Sequence, residues 1–178
     1  LGIGLSARYI FSNLTGAFTG SDAQAGNSVA ADLGVFYTKP LQGTRNSTLS
    51  LGAQVSNIGA KISYTDNNNK DFLPTNLRLG GAYTTEMHPY NNITFILDFN
   101  KLMVPSPGSG RDTESLLSGM FGSFSDAPGG AKEEFEEFMI STGVEYWYRE
   151  IFSARLGYFN ENVDKGNRKY LTMGVGFR

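Results

Sequence analysis

The sequence predicts an all-β protein, the wall of a transmembrane antiparallel β-barrel with one helical insert in a long loop. Three observations predict it. Apolar residues alternate with small or polar ones at period two in eight separate segments. The connections between these segments are alternately short and long, as in outer-membrane barrels, which have short periplasmic turns and long extracellular loops. Glycine and aromatic residues are abundant, with Gly 22, Phe 13 and Tyr 9 among 178 residues, a composition that suits a barrel better than a helical protein.

The segments follow in order along the chain. In 2–12, Ile3, Leu5, Ala7, Tyr9 and Phe11 point one way and Gly4, Ser6 and Arg8 the other. In 28–38, Val29, Ala31, Leu33, Val35 and Tyr37 oppose Ala30, Asp32, Gly34 and Thr38. In 47–57, Leu49, Leu51, Ala53 and Val55 oppose Ser50, Gly52, Gln54 and Ser56. In 76–86, Leu77, Leu79 and Tyr83 oppose Arg78, Gly80, Thr84 and Glu86. In 92–101, Ile93, Phe95, Leu97 and Phe99 oppose Thr94, Asp98 and Asn100. In 139–149, Ile140, Val144, Tyr146 and Tyr148 oppose Ser141, Gly143, Glu145 and Arg149. In 151–159, Phe152, Ala154, Leu156 and Tyr158 oppose Ser153, Arg155 and Gly157. In 168–178, Leu171, Met173, Val175 and Phe177 oppose Thr172, Gly174, Gly176 and Arg178. Each segment is near the ~9–11 residues that a tilted strand needs to cross a bilayer.

A soluble β-sandwich also alternates. Against it, the polar faces here are Gly, Ser, Thr and isolated charges, not a Lys/Glu-rich surface. The short connections lie near 39–46, 87–91 and 149–151, and the long ones near 13–27, 58–75, 102–138 and 160–167. This parity orients the chain, with the first, third, fifth and seventh strands rising toward the extracellular side. No run of about 18 apolar residues occurs, so a transmembrane helix is not expected. Leu1 already sits inside a strand pattern and the last residues end inside another, which suggests an internal piece of a larger barrel.

The inner face carries Arg8, Asp32, Gln54, Arg78, Asp98, Glu145 and Arg155. If Tyr148 opposes Phe152 across a three-residue turn, Glu145 lands opposite Arg155, and Arg8 and Asp32 lie on neighbouring strands. The expectation is a polar network inside the wall, either bracing it or lining a hydrated path. Tyr146 and Tyr148, near the short-turn side, belong to an aromatic girdle.

The connection 102–138 is the most informative segment outside the strands. Pro105 and Pro107 end the fifth strand by removing backbone donors. Leu116, Leu117, Met120, Phe121 and Phe124 then recur at helical spacing. Pro128-Gly129-Gly130 breaks the pattern, and 131–138 restarts it with Phe135 and Phe138 on one face among Glu133, Glu134, Glu136 and Glu137. So many large apolar groups in a loop need cover. The insert is expected to fold over the barrel mouth, to present a docking surface, or both.

Little else carries chemistry. There is no cysteine, which excludes disulfides and thiolate metal sites, and a formal net charge of −2 gives no reason to expect nucleic-acid binding. The lone histidine, His88, lies in a turn. No G-x-S-x-G elbow occurs. Asp66–Asp71 resembles a calcium loop in composition only, without the glycine and terminal glutamate of an EF-hand. No catalytic residue, metal or cofactor is expected.

The stretch from Gly52 to Asp66, followed by Phe72-Leu73-Pro74-Thr75-Asn76-Leu77-Arg78-Leu79-Gly80, strongly resembles the PorV/PorQ family of FadL-like outer-membrane proteins. The strand-turn-strand from Gly143 to Tyr158 is similar to that family's. The loop Gly119–Gly130 and its acidic continuation resemble the PorV branch. The resemblance implies a barrel of about fourteen strands, so that eight here would leave strands missing at both ends. It implies a non-enzymatic component of the type IX secretion system. Such a protein receives secreted cargo through the cargo's C-terminal signal domain at the translocon, then passes it to a surface attachment complex with a sortase-like protease.

On this reading the loops 13–27, 58–75 and 102–138 carry binding, with Leu116, Leu117, Met120, Phe121, Phe124, Phe135 and Phe138 as apolar anchors. Lipid and lipopolysaccharide are the surrounding partners. A second reading is a FadL-type transporter of hydrophobic solutes. A third is a lipopolysaccharide O-deacylase, for which no nucleophile–base motif is present.

Overall fold

The computed structural model describes residues 1–13, 25–43, 45–64, 70–106, 109–111 and 113–178. Most of the connection 13–27, and Asp66 to Asn69 of the calcium-like segment, lie outside the described residues. Among the described residues no helix is long and apolar enough to cross a membrane.

Eight strands form one antiparallel meander: β1 (Gly2–Ser12), β2 (Gly26–Leu41), β3 (Ser47–Gly59), β4 (Asn76–His88), β5 (Asn91–Leu102), β6 (Met139–Tyr148), β7 (Phe152–Asn160) and β8 (Lys169–Phe177). Each strand pairs with its sequence neighbour, and β1 and β8 are the edges of an open sheet. Two short helices, α1 (Leu116–Gly122) and α2 (Ala131–Glu136), lie between β5 and β6.

The register makes the alternation continuous across strands. Residues directly opposite in a ladder share a face, and one such row runs Ile3, Val35, Ala53, Leu79, Phe99, Ile140. Another runs Tyr83, Phe95, Val144, Leu156, Met173. Many side chains of this face are exposed, Leu5 by 79 % and Met173 by 82 %, so it is a continuous apolar surface. The opposite face has rows of small and polar groups, such as Gly52, Gly80, Asp98 and Ser141. We call the two faces outer and inner.

The turns follow from local backbone. Tyr148 pairs with Phe152 and Glu145 with Arg155, as the alternation predicts. Arg149 and Glu150 both take positive φ, 51° and 58°, and Ile151 N–H donates to Tyr148 C=O at 3.1 Å. That is the primed turn whose twist matches a right-handed hairpin. β2 runs three residues past its predicted end, to Leu41, with Pro40 opposite Thr48. The short connections, 42–46, 89–90 and 149–151, lie at one end of the sheet and the long ones at the other.

Buried apolar residues gather at the long-connection end, not within the sheet. Ala30, Ile62 and Leu73 form a cluster against which Ile10 and Tyr64 pack. Gly59 makes this approach possible, because a Cβ there would fall 2.2 Å from the Val29 carbonyl and 2.7 Å from Leu73 Cδ1. The β2–β3 ladder is irregular between Ala31 and Leu33, and Asn57 takes φ 60°.

Candidate functional site

The long connections after β3, β5 and β7 fold together into a cap on the end of the sheet. Thr75, fully buried, joins two of them: its hydroxyl donates to Asn57 C=O at 2.8 Å, and its own carbonyl accepts from Met103 N–H at 2.7 Å. Ile62 and Asp71 exchange backbone bonds of 2.9 and 2.8 Å, closing the β3–β4 connection on itself. Phe72 from that connection lies under α1. A Cβ at Gly119 would come 2.8 Å from the Phe72 ring and 3.3 Å from Pro105, so a helix with a larger residue there stands further off. Lys61 Nζ sits 3.8 Å from the centre of the same ring.

The first helix is capped by its own serines. Ser115 Oγ accepts from Ser118 N–H at 3.4 Å, and the Ser123 hydroxyl, fully buried, donates to Met120 C=O at 2.7 Å. Gly130, at φ 72°, makes the break before α2 that a side chain would resist. Glu133 and Glu134 fold back from the first turn of α2 to accept Gly129 N–H at 2.6 Å and Ala127 N–H at 2.8 Å. Carboxylates at that end also complement the positive pole of the helix dipole.

The acidic run is a buried anchor, and its partners are far away in sequence. Lys101, at the end of β5, is fully buried, with its ammonium 3.2 Å from Glu134 and in short contact with Glu137. Lys165, in the β7–β8 connection, reaches Glu133 at 2.6 Å and Glu137 at 3.0 Å. The Ser106 hydroxyl lies 2.9 Å from Glu137 and 3.0 Å from Asp126. Burial works against ionisation of Glu137, but hydrogen bonds from Lys101, Lys165 and Ser106 outweigh it and hold its carboxyl below the ordinary range. Glu133 is held low by the Lys165 hydrogen bond and then by Gly129 N–H. Nearby, the hydrogen bond from Arg168 holds Glu161 low. Pairing of this kind selects one arrangement of the insert over others.

The seven apolar residues that sequence places at a docking surface separate into two groups. Met120 is buried, Leu116 and Phe138 are half-buried, and Phe124 is partly covered. Phe124 and Phe138 have their ring centres 5.5 and 5.7 Å from Lys101 Nζ, so they wall the anchor. Leu117, Phe121 and Phe135 are open, at 59, 69 and 77 %. Leu117 and Phe121 are one helical turn apart on the exposed side of α1. Phe135 and Phe138, expected on one face, have different surroundings, because α2 ends at Glu136 and the chain turns toward β6. Sequence reading missed Lys101, Lys165, Ser106 and Asp126. The single local signal was a lysine at the strand end in a row with Phe95, Leu97 and Phe99.

The inner-face residues form three separate ion pairs and not one network. Arg8 pairs with Asp32 at 2.7 Å, Arg78 with Asp98 at 2.8 Å, and Arg155 with Glu145 in short contact. Gln54 stands opposite Arg78 in the register. Asp32 is the most connected, since it also accepts from Ser6 Oγ at 2.7 Å and Asn57 N–H at 2.8 Å. Arg8 in turn reaches Asn57 Oδ1 at 2.6 Å. Trp147 donates its indole N–H to Glu145 at 2.6 Å. Beside the Arg78–Asp98 pair is an open groove of about 620 Å³, lined by small residues such as Gly4, Gly34, Gly52 and Gly80, and by Phe36 and Ile96.

No curated protein matches the chain. The family model for type IX secretion system protein PorV matches residues 1–109, which hold β1 to β5 and the start of the cap. That match spans more than half of the sequence, and with the all-β meander and its one apolar face it shows that the chain belongs to the PorV family.

Proposed function

We propose that the protein receives secreted cargo at its loop cap, through the cargo's C-terminal signal domain, and passes it from the translocon to the attachment complex without chemistry of its own. Membership of the family gives the coarser statement, a role in type IX secretion and an outer-membrane location. The finer reading places the cap on the extracellular side, following the rule of short periplasmic turns and long outer loops. One observation carries it. Leu117, Phe121 and Phe135 stay exposed on an insert that Lys101 and Lys165 fasten in place. Exposed apolar groups on a fixed scaffold are what a binding surface requires.

The test is co-purification of cargo with the full-length protein carrying Leu117→Ser, Phe121→Ser and Phe135→Ser together. Loss of one central anchor typically costs ~2 kcal/mol, so the triple change is expected to lower cargo recovery by at least about ten-fold. Undiminished recovery from a normally folded variant overturns the assignment.

The inner groove favours a second reading, carriage of a hydrophobic solute. Its apolar side chains, Phe36 and Ile96, face a space of drug-sized volume. Solvent extraction of purified protein, followed by lipid mass spectrometry, separates the two. A stoichiometric apolar molecule lost on Gly52→Phe supports carriage.

A further inference from the structure

We propose that the short-turn end of the sheet carries a basic–aromatic rim that binds the phosphates of anionic phospholipids. The inference rests on the family's outer-membrane location and not on the cargo reading. It begins with an asymmetry between the two ends. At the long-connection end, Lys101, Arg111, Lys132, Lys165 and Arg168 each lie within ion-pair distance of a carboxylate, and Lys70 and Lys169 are exposed without an ion pair among the described residues. On the inner face Arg8, Arg78 and Arg155 are also paired. At the short-turn end are Lys39, Arg45, Arg149 and Arg178, all exposed, and none forms an ion pair among the described residues.

Each of these four cations adjoins an aromatic group of the outer face. Lys39 continues the row of Val35 and Tyr37 and lies across from Leu49, which in turn opposes Tyr83. Arg45 is in the β2–β3 turn, where its carbonyl accepts from the Ser47 hydroxyl at 3.4 Å, and Ser47 Oγ in turn accepts from the Tyr83 hydroxyl at 3.2 Å. Arg149 Cζ stands 5.5 Å from the Tyr148 ring centre. Arg178 N–H donates to Ile151 C=O at 2.8 Å, directly after Phe177, whose ring meets Phe152 edge-on at 5.3 Å. Tyrosines of a barrel's aromatic girdle sit at headgroup depth, so cations one step beyond them meet the phosphate layer.

Two carboxylates share this end. Glu86 is turned to Asn46, whose amide donates to it at 2.6 Å, and Glu150 is exposed in the β6–β7 turn. Four cations against two carboxylates leave a positive rim. Its spread favours a membrane over a protein partner. The β2–β3 and β6–β7 turns are four strands apart, roughly 20 Å along the wall at the usual strand spacing. Charges that follow the edge of the apolar face over that span match a planar layer of phosphates better than a compact protein epitope.

The test uses the full-length protein in phosphatidylcholine bilayers containing spin-labelled lipids. Electron paramagnetic resonance gives the association constant of labelled phosphatidylglycerol relative to labelled phosphatidylcholine. A ratio of roughly two- to five-fold is expected at low salt, falling toward one at high salt. The ratio is expected to fall toward one in the variant Lys39→Gln/Arg45→Gln/Arg149→Gln/Arg178→Gln, and to stay unchanged in Lys70→Gln/Lys132→Gln/Lys169→Gln. A wild-type ratio of one at low salt, or a ratio that salt or the four substitutions leave unchanged, overturns the proposal. Stronger selection for lipid A than for phosphatidylglycerol overturns the assignment to phospholipid. Failure of the membrane reading itself looks different, because neither label is then immobilised. The salt series on the wild-type protein stands alone if the fourfold variant does not fold.

Discussion

The Lys101 ammonium, fully buried at the end of β5, lies 3.2 Å from a carboxylate oxygen of Glu134 on α2. This bond and its partner to Glu137 fasten the insert to the end of the sheet. Replacing Lys101 by methionine keeps the aliphatic stem and removes the charge, leaving Glu134 without its cation and Glu137 with Lys165 alone. Breaking a buried pair on one side costs roughly 3–5 kcal/mol. Hydrogen exchange in 116–138 is expected to accelerate by roughly two orders of magnitude while exchange in the strands holds. Lys132→Met serves as the control, because that lysine is 89 % exposed and 3.8 Å from Glu136.

The same anchor gives the cap an acid limit. Glu133 and Glu137 titrate below the ordinary 4.5 in the folded protein. Depressed carboxyls add stability that is complete above the unfolded value and is lost as pH falls through the folded one. Protease resistance of the insert is therefore expected to be constant from neutral pH down to about 5 and to fall below about 4. Resistance that declines between pH 7 and 5 contradicts this, as would a cap that survives full protonation.

Asp32 and Asp98 occupy comparable inner-face positions, but their neighbourhoods differ. Asp98 accepts from Arg78, whereas Asp32 accepts from Ser6, Arg8 and the Asn57 backbone and so joins β1, β2 and β3. Asp32→Asn is expected to lower the urea midpoint of the reconstituted protein more than Asp98→Asn does. Equal midpoints would mean that the hub around Asn57 adds nothing.

Gly59 and Gly4 make a matched pair. A Cβ at Gly59 meets backbone at 2.2 and 2.9 Å, and one at Gly4 meets nothing within 4 Å. Gly59→Ala is expected to cost about 1–3 kcal/mol of unfolding free energy, as overpacking does. Gly4→Ala is expected to stay within about 0.5 kcal/mol. Denaturant titration of both variants checks the contrast.

Strands and register were legible in the sequence because their signal is local. Period-two alternation places every strand, and the pairing of Glu145 with Arg155 follows from one tight turn. The site was legible only in part. Helical spacing finds the insert, but cannot say that Met120 faces inward while Phe121 faces outward, since that depends on Phe72 and Pro105 lying beneath Gly119. Four glutamates around Phe135 suggest a solvated helix. The role of Glu133, Glu134 and Glu137 depends on Lys101 and Lys165, which are 28 to 36 positions away in the contacts they make. No local pattern carries information over that distance. The extension of β2 through Pro40 was missed because proline normally marks a strand's limit.

The position of Lys165 also sets an order of assembly. Every ladder in the described sheet joins consecutive strands, so the sheet can grow in chain order, one strand on the last. The insert follows another rule. Its carboxylates are made before β6, while one of their two cations arrives only after β7. A chain laid down from its amino end therefore carries an insert held by Lys101 alone, with Glu133 lacking its cation, until the seventh strand is in place. Locking the cap is thus a late checkpoint on the wall that carries it.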